Sequence, residues 1–345
     1  MEKKTKIELG AAIGILAVCL LGTVGMLWNG LFGAAIEVKE DTYIYIDRDD
    51  TADSVANKMV RAVNPKHLWA WNWQARQQRY AEHVKTGCYR LSNGESMREV
   101  FIRFSRGHQT PVKLVVPAAR TVEKLAQAVS DQLMIEEEEI LSLLKDTVYL
   151  KQLGCNRQTL PAMLIPNTYE VYWNMSAKRW MERMVKEHKA FWNASRTARA
   201  KAIGLTPVEV ATLASIVEEE TAYGPEMPMV AGLYINRLKR GMLLQADPTV
   251  KFSLGQFELQ RILYKHLEVD SPYNTYKHAG LPPGPIRIPS TRGLESVLNY
   301  AQHKYLYMCA KETLDGTHNF ATNSAQHGRN ARKYQQALNR RKIYK

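Results

Sequence analysis

From Leu9 to Trp28 the chain holds 20 consecutive residues without a charge. A helix rises about 1.5 Å per residue, so this run matches the roughly 30 Å of a bilayer's hydrocarbon core. Lys3, Lys4 and Lys6 precede it and mark the end that stays in the cytoplasm. A cleavable signal peptide is the competing reading, with Gly33 and Ala35 as small residues near a cut site. The run exceeds the usual apolar region of about 7–15 residues in such peptides, which favours an uncleaved anchor. The expected order is a cytoplasmic stretch 1–8, an anchor 9–32, and everything beyond about Ile36 outside the cytoplasm at the cell (inner) membrane.

With 345 residues, the chain has enough length beyond the anchor for two folded units. Its formal charge of +13 is dispersed and accompanies no nucleic-acid motif, so nucleic acid is not an expected partner. Outside the cytoplasm, anionic envelope polymers or lipid headgroups fit that charge, as does plain solubility. Cys19 lies in the apolar run; Cys88, Cys155 and Cys309 form no disulfide framework, although one bridge among them stays open. Neither they nor the nine histidines have metal-ligand spacing, so no metal and no cofactor are expected.

Beyond the anchor, Thr42 to Ile46 reads as a strand and Thr51 to Val63 as a helix with one apolar face. Gly87 to Leu91 and Val112 to Val116 read as strands, and Ser96 to Phe104 as a helix. Trp69, Trp71 and Trp73 are placed either to stack on sugars or to fill a core. Thr121 caps a helix reaching Leu133, Glu136 to Glu139 opens another, and Met175 to Trp192 forms a third.

A better-marked helix begins at Thr206, an N-cap followed by Pro207 and by Glu209, which completes a capping box. It runs through Thr221 and stops near Tyr223-Gly224-Pro225. Leu213, Ile216, Val217 and Glu220 are spaced i, i+3, i+4, i+7, which puts a carboxylate on the apolar stripe. Apolar surroundings disfavour the charged form, so Glu220 is suited to hold a proton near neutral pH and act as a general acid. The alternative is a half-exposed last turn or pairing with a nearby arginine. Glu218 and Glu219 point to the other side, where a solvated acidic face is expected. A second amphipathic helix, Met229 to Arg240, leads into a polar loop, Leu244 to Thr249, in which Asp247 before Pro248 also suits ordinary turn chemistry. Leu281 to Pro289 reads as a rigid extended wall or as a surface loop, and Arg329 to Lys345, with Arg332, Lys333, Arg340, Arg341 and Lys342, as a cationic helix.

Glu218 to Thr221, Val230 to Leu238 and Gly241 to Val250 together resemble the signature of the MltG (YceG-like) endolytic murein transglycosylases. Tyr273 to Tyr276 and Gly280 to Ile286 continue it in the same order. His318 to Asn323 resembles a family segment that returns to the cleft, and Pro166 to Tyr169 matches another, with Asn167 in place of an acid. Gly87 to Leu91 is similar to the LysM-like module of the family.

The resemblance implies an α+β chain: an N-terminal transmembrane helix, a LysM-like α/β module over 37–116, and a mostly helical catalytic domain with irregular loops over 117–345. It implies that Glu220 protonates the bond between N-acetylmuramic acid and N-acetylglucosamine, then takes the proton of the muramic 6-hydroxyl as that oxygen closes a 1,6-anhydro ring. Gln245 and Asn323 would bind acetamido or hydroxyl groups, and Tyr276 would stack on a sugar. Asn274 and Asp247 complete the expected substrate-binding set, with Glu218 in support. The partners implied are peptidoglycan glycan strands, the membrane through one helix, and cell-wall synthesis proteins. Two other functions stay open: a muramidase using Glu220 with Asp247, and a non-catalytic glycan-binding scaffold.

Overall fold

The computed structural model describes residues 2–259 and 261–340. Arg341 and Lys342 of the expected basic tail lie outside them. The chain forms two compact units, one of residues 1–113 and 170–175, the other of 114–169 and 176–345. Residues 170–175 thus fold with the first unit, although the sequence reading set them within the second.

The first unit starts with α1 (Glu2–Phe32). Its segment Ile7–Phe32, which contains an 18-residue window with no buried residue and has mean hydropathy 2.2, is long and apolar enough to cross a membrane. Then come β1 (Thr42–Ile46), α2 (Ala52–Val63), α3 (Leu68–Gln77), β2 (Gly87–Leu91), α4 (Met97–Arg106) and β3 (Val112–Val116). β1 pairs antiparallel with β2, in a register running from Thr42 opposite Leu91 to Ile46 opposite Gly87. β3 pairs with β4 (Asn167–Val171), and the chain passes between units within these two strands. Capping boxes at Thr51/Ser54 and Ser96/Glu99 start α2 and α4, each satisfying backbone donors a helix start leaves open.

α3 is an element the sequence reading lacked. Its tryptophans alternate, at 69, 71 and 73, and carry no helical period. Packing separates their roles. Trp71 is fully buried, with ring centroids 5.6, 5.3 and 5.5 Å from those of Tyr80, Phe101 and Phe104, while Trp69 is half-buried and Trp73 exposed.

The second unit continues with α5 (Val122–Ser130), α6 (Glu137–Lys145), α7 (Thr147–Gln152), α8 (Leu160–Met163), α9 (Ala177–Phe191) and α10 (Ala194–Ile203). At its centre is α11 (Pro207–Glu220), buried at every residue from Val210 to Val217. A helix apolar all round can only be a core helix or a membrane span, and here α12 (Met227–Lys239) and α15 (Thr291–Leu298) are among the elements that enclose it. Between them come α13 (Asp247–Leu254) and α14 (Tyr264–Leu267); β5 (Tyr307–Ala310), β6 (His318–Ala321) and α16 (Ser324–Arg340) complete the unit. Gly232 of α12 admits the following loop closely, since a Cβ there would sit 2.3 Å from the Ala301 carbonyl oxygen.

The acidic face expected at the end of α11 is not solvated. Glu219 accepts from Arg120 (3.0 Å from both Nε and Nη2) and from Arg287 Nη1 (2.9 Å). Glu218 accepts from the Ser290 amide (3.1 Å) and hydroxyl, tying the start of α15 to α11. Buried carboxylates need such partners, and the arginines that supply them are far away in sequence. The Leu281–Pro289 stretch likewise packs inward: Ile286 and Ile288 are buried, and the Ile286 amide donates to Ser215 Oγ (3.0 Å).

Candidate active site

Glu220, the last residue of α11, opens into a cavity of about 270 Å³. Tyr234 and Arg237 of α12, the Gln245–Asp247 corner, Tyr276, β5 and His318 form its other walls. Leu213, Ile216 and Val217, the residues of the predicted stripe, are buried along with the rest of α11 around them, and one turn on the same face brings Glu220 to the cavity. Burial pushes its carboxyl up to about 7. The Tyr234 hydroxyl, donating to Oε1 at 2.7 Å, opposes the rise, and the negative charge of Asp247 adds to it. Burial wins because moving a carboxylate out of water costs more than one hydrogen bond returns. Glu220 is therefore poised between acid and base at neutral pH. Replacing Tyr234 with Phe is expected to raise the Glu220 pKa further and to move the alkaline limb of the pH–rate profile to higher pH. An unchanged limb would remove this hydroxyl from the proton balance.

Asp247 begins α13 rather than sitting in a loop, with Pro248 in the first turn where its missing N–H costs nothing. Tyr276 donates its hydroxyl to Asp247 Oδ1 at 2.5 Å, and burial raises the tyrosine above its ordinary range. The corner is pinned from behind: Gln245 and Ala246 donate backbone amides to the Thr275 carbonyl (3.1 Å) and hydroxyl (3.0 Å), and Thr249 and Thr275 hydroxyls meet at 2.9 Å. Gln245 takes φ +50°, a conformation that non-glycine residues seldom adopt. Its side chain is exposed, with its oxygen 3.3 Å from Arg237 Nη1.

Of the residues singled out beforehand, Glu220, Gln245, Asp247 and Tyr276 come together at the cavity. The other three do not line it. Asn274 is fully buried and spends its amide on the Leu267 and Val269 carbonyls (2.8 and 2.9 Å), so it shapes the 267–276 loop. Asn323 is exposed ahead of α16 and accepts from the Gln326 amide at 2.9 Å. Glu218 is committed to Ser290 and Arg287.

Two features in or directly behind the cavity wall have no counterpart among the expected site residues. Arg237 is buried and reaches four acceptors: the carbonyls of Leu306 (2.6 Å), Leu243 (3.1 Å) and Leu244 (2.8 Å), and the Gln245 side chain. Val230, Leu233, Tyr234 and Arg237 repeat the i, i+3, i+4, i+7 spacing that flagged Glu220, so its burial was open to the same argument. Glu226, also buried, accepts from the His318 amide (2.8 Å) and lies 2.9 Å from His318 Nδ1. No local pattern marks that pairing, which joins residues 92 apart in the chain.

A larger cavity of about 470 Å³ in the same unit includes Asn167, Arg196 and Glu295 in its lining. There Arg196 and Arg199 pair with Glu295 and hold its carboxyl below the ordinary value. Chemistry therefore favours the smaller cavity. Among the described residues no three His, Cys, Asp or Glu side chains gather as metal ligands, and the four cysteines are unbridged.

A single proton-holding carboxyl facing a polar, water-accessible cleft on a mainly helical scaffold is the arrangement of a general-acid site. The chain belongs to the YceG-like family, whose model matches residues 44–333. It is 27% identical over 270 residues to the endolytic murein transglycosylase of Bacillus subtilis strain 168, covering 74% of each chain. Against the endolytic murein transglycosylase of Streptococcus pneumoniae serotype 2 it is 26% identical over 325 residues, which are 85% of this chain and 58% of that one. A crystal structure of a yceG-like protein from Listeria monocytogenes has a TM-score of 0.57 at 25% identity, covering 85% of this chain and 99% of the other.

Proposed function

We propose that the protein is an endolytic peptidoglycan lytic transglycosylase with Glu220 as its acid and base. The observation that carries this reading is the Glu220 carboxyl raised to about 7 in an open cleft. Cleaving a glycosidic bond needs a proton on the leaving oxygen as positive charge develops at the anomeric carbon. Protonated Glu220 supplies it to the N-acetylglucosamine oxygen. The resulting carboxylate then accepts the proton of the muramic 6-hydroxyl, whose oxygen bonds to its own anomeric carbon. One group thus serves both halves, no water is consumed, and the product ends in 1,6-anhydro-muramic acid. Gln245 and Tyr276 line the same cleft and are placed to bind sugar hydroxyl and acetamido groups.

The anchoring role of α1 belongs to the same reading: it holds the protein in the cell membrane, with the catalytic unit on the outer side near strands under synthesis. The β1–α2–α3–β2 order of the first unit supports a LysM-like, glycan-contacting module. The test is mass spectrometry of glycan strands incubated with the full chain in detergent. Anhydro-muramic ends within the strands are expected. New reducing ends instead would make the protein a hydrolase and bring in Asp247 as a second carboxylate; no cleavage would leave a glycan-binding scaffold.

A further inference from the structure

The last turn of α1 belongs to the membrane helix and to the folded unit at once. The apolar run ends at Trp28, where the polar Asn29 follows, and Gly30 lies two residues further along the same unbroken helix, a rise of only about 3 Å. The headgroup layer of one leaflet is about 5–7 Å deep, so Gly30 lies inside it. Gly30 is buried because the Trp69 ring of α3 rests on it: a Cβ there would fall 2.0 Å from Trp69 Cζ2. Two residues further on, the Arg98 guanidinium of α4 stands 5.3 Å from the centre of the Phe32 ring.

No linker follows. Ala34 bridges to Ser96, the amides of Ala35 and Ile36 donate to the Glu95 carbonyl (2.9 and 3.1 Å), and the Lys66 amide donates to the Ala35 carbonyl (2.8 Å). Ala35 and Ile36 are core residues of the unit. A unit fixed this way cannot lift off the surface that α1 leaves. The side chains it presents there are those an interface selects: Trp69, then Trp73 one turn along the same helix face and 47% exposed, and the exposed cation Arg98.

We propose that the face of the first unit carrying Trp69, Trp73 and Arg98 sits in the phospholipid headgroup layer, a membrane contact additional to the spanning helix. This rests on the reading of α1 as an anchor. Such seating fixes the orientation of the βααβ unit against the bilayer, where a flexible tether would leave it free.

The test uses the full chain in vesicles of phosphatidylcholine and phosphatidylglycerol containing a trace of phosphatidylethanolamine with a diazirine on its headgroup. After irradiation, peptides are mapped by mass spectrometry. Adducts are expected on 26–32, on 68–73 and around Arg98, at least about fivefold above those on exposed Tyr43 and Tyr45 of β1, given the interfacial preference of such side chains. Adducts on 26–32, with 68–73 and Arg98 at the level of β1, would overturn the seating and keep the anchor. A chain free of adducts throughout and released by an alkaline wash would overturn the anchor itself, and the seating with it.

Discussion

Glu220→Gln is expected to lower strand cleavage by at least about 10³-fold, the range lost when a single group carries proton transfer. Glutamine keeps the size of the side chain and can still accept from the Tyr234 hydroxyl, so the fold should survive and the loss should fall on turnover. In the parent protein, cleavage should be flat with pH below about 7 and fall tenfold per unit above it, because the first step needs the protonated form of a carboxyl held near that value. The base step adds no acidic limb, since the carboxylate that acts there is made by the first proton transfer. A variant within tenfold of parent activity would remove Glu220 from the chemistry, and a bell-shaped profile would call for a second ionisable group.

Arg237→Ala is expected to destabilise the second unit by about 3–5 kcal/mol, measured by denaturant unfolding of the full chain in detergent. The guanidinium joins three elements by bonding to carbonyls of Leu243, Leu244 and Leu306, and it stacks on Tyr307 with 5.4 Å to the ring centre. Removing it leaves buried acceptors that water reaches poorly. Arg237→Lys should rescue little of this, because one ammonium cannot reproduce a planar fork spread over several acceptors. A loss below about 1 kcal/mol would show that the carbonyls find water or other partners.

Local signals carried much of the fold. Thr51, Ser96, Thr121 and Thr206 each cap the helix assigned to them, because a cap depends on residues three apart and needs nothing distant. The strands at 42–46, 87–91 and 112–116 were likewise readable from β-branched and aromatic residues between turn signals. α3 was not, since its tryptophans follow a period of two and only the core decides that Trp71 goes in and Trp73 stays out. Asp247 looked like turn chemistry because Asp-Pro serves turns and helix starts equally; the Thr249–Thr275 link selects the helix start.

Periodicity and length alone give the apolar N-terminal helix, the long central helix and the carboxylate at its end. What surrounds that carboxylate is set by packing between segments distant in the chain. Tyr234 as its donor, Arg237 behind the Gln245 corner, Glu226 beside His318, and the diversion of Asn274 and Glu218 to structural bonds all depend on which buried polar groups find one another. Those pairings join residues up to 92 positions apart, and burial makes them obligatory, because a polar atom shut away from water must take whatever partner the packing brings within reach.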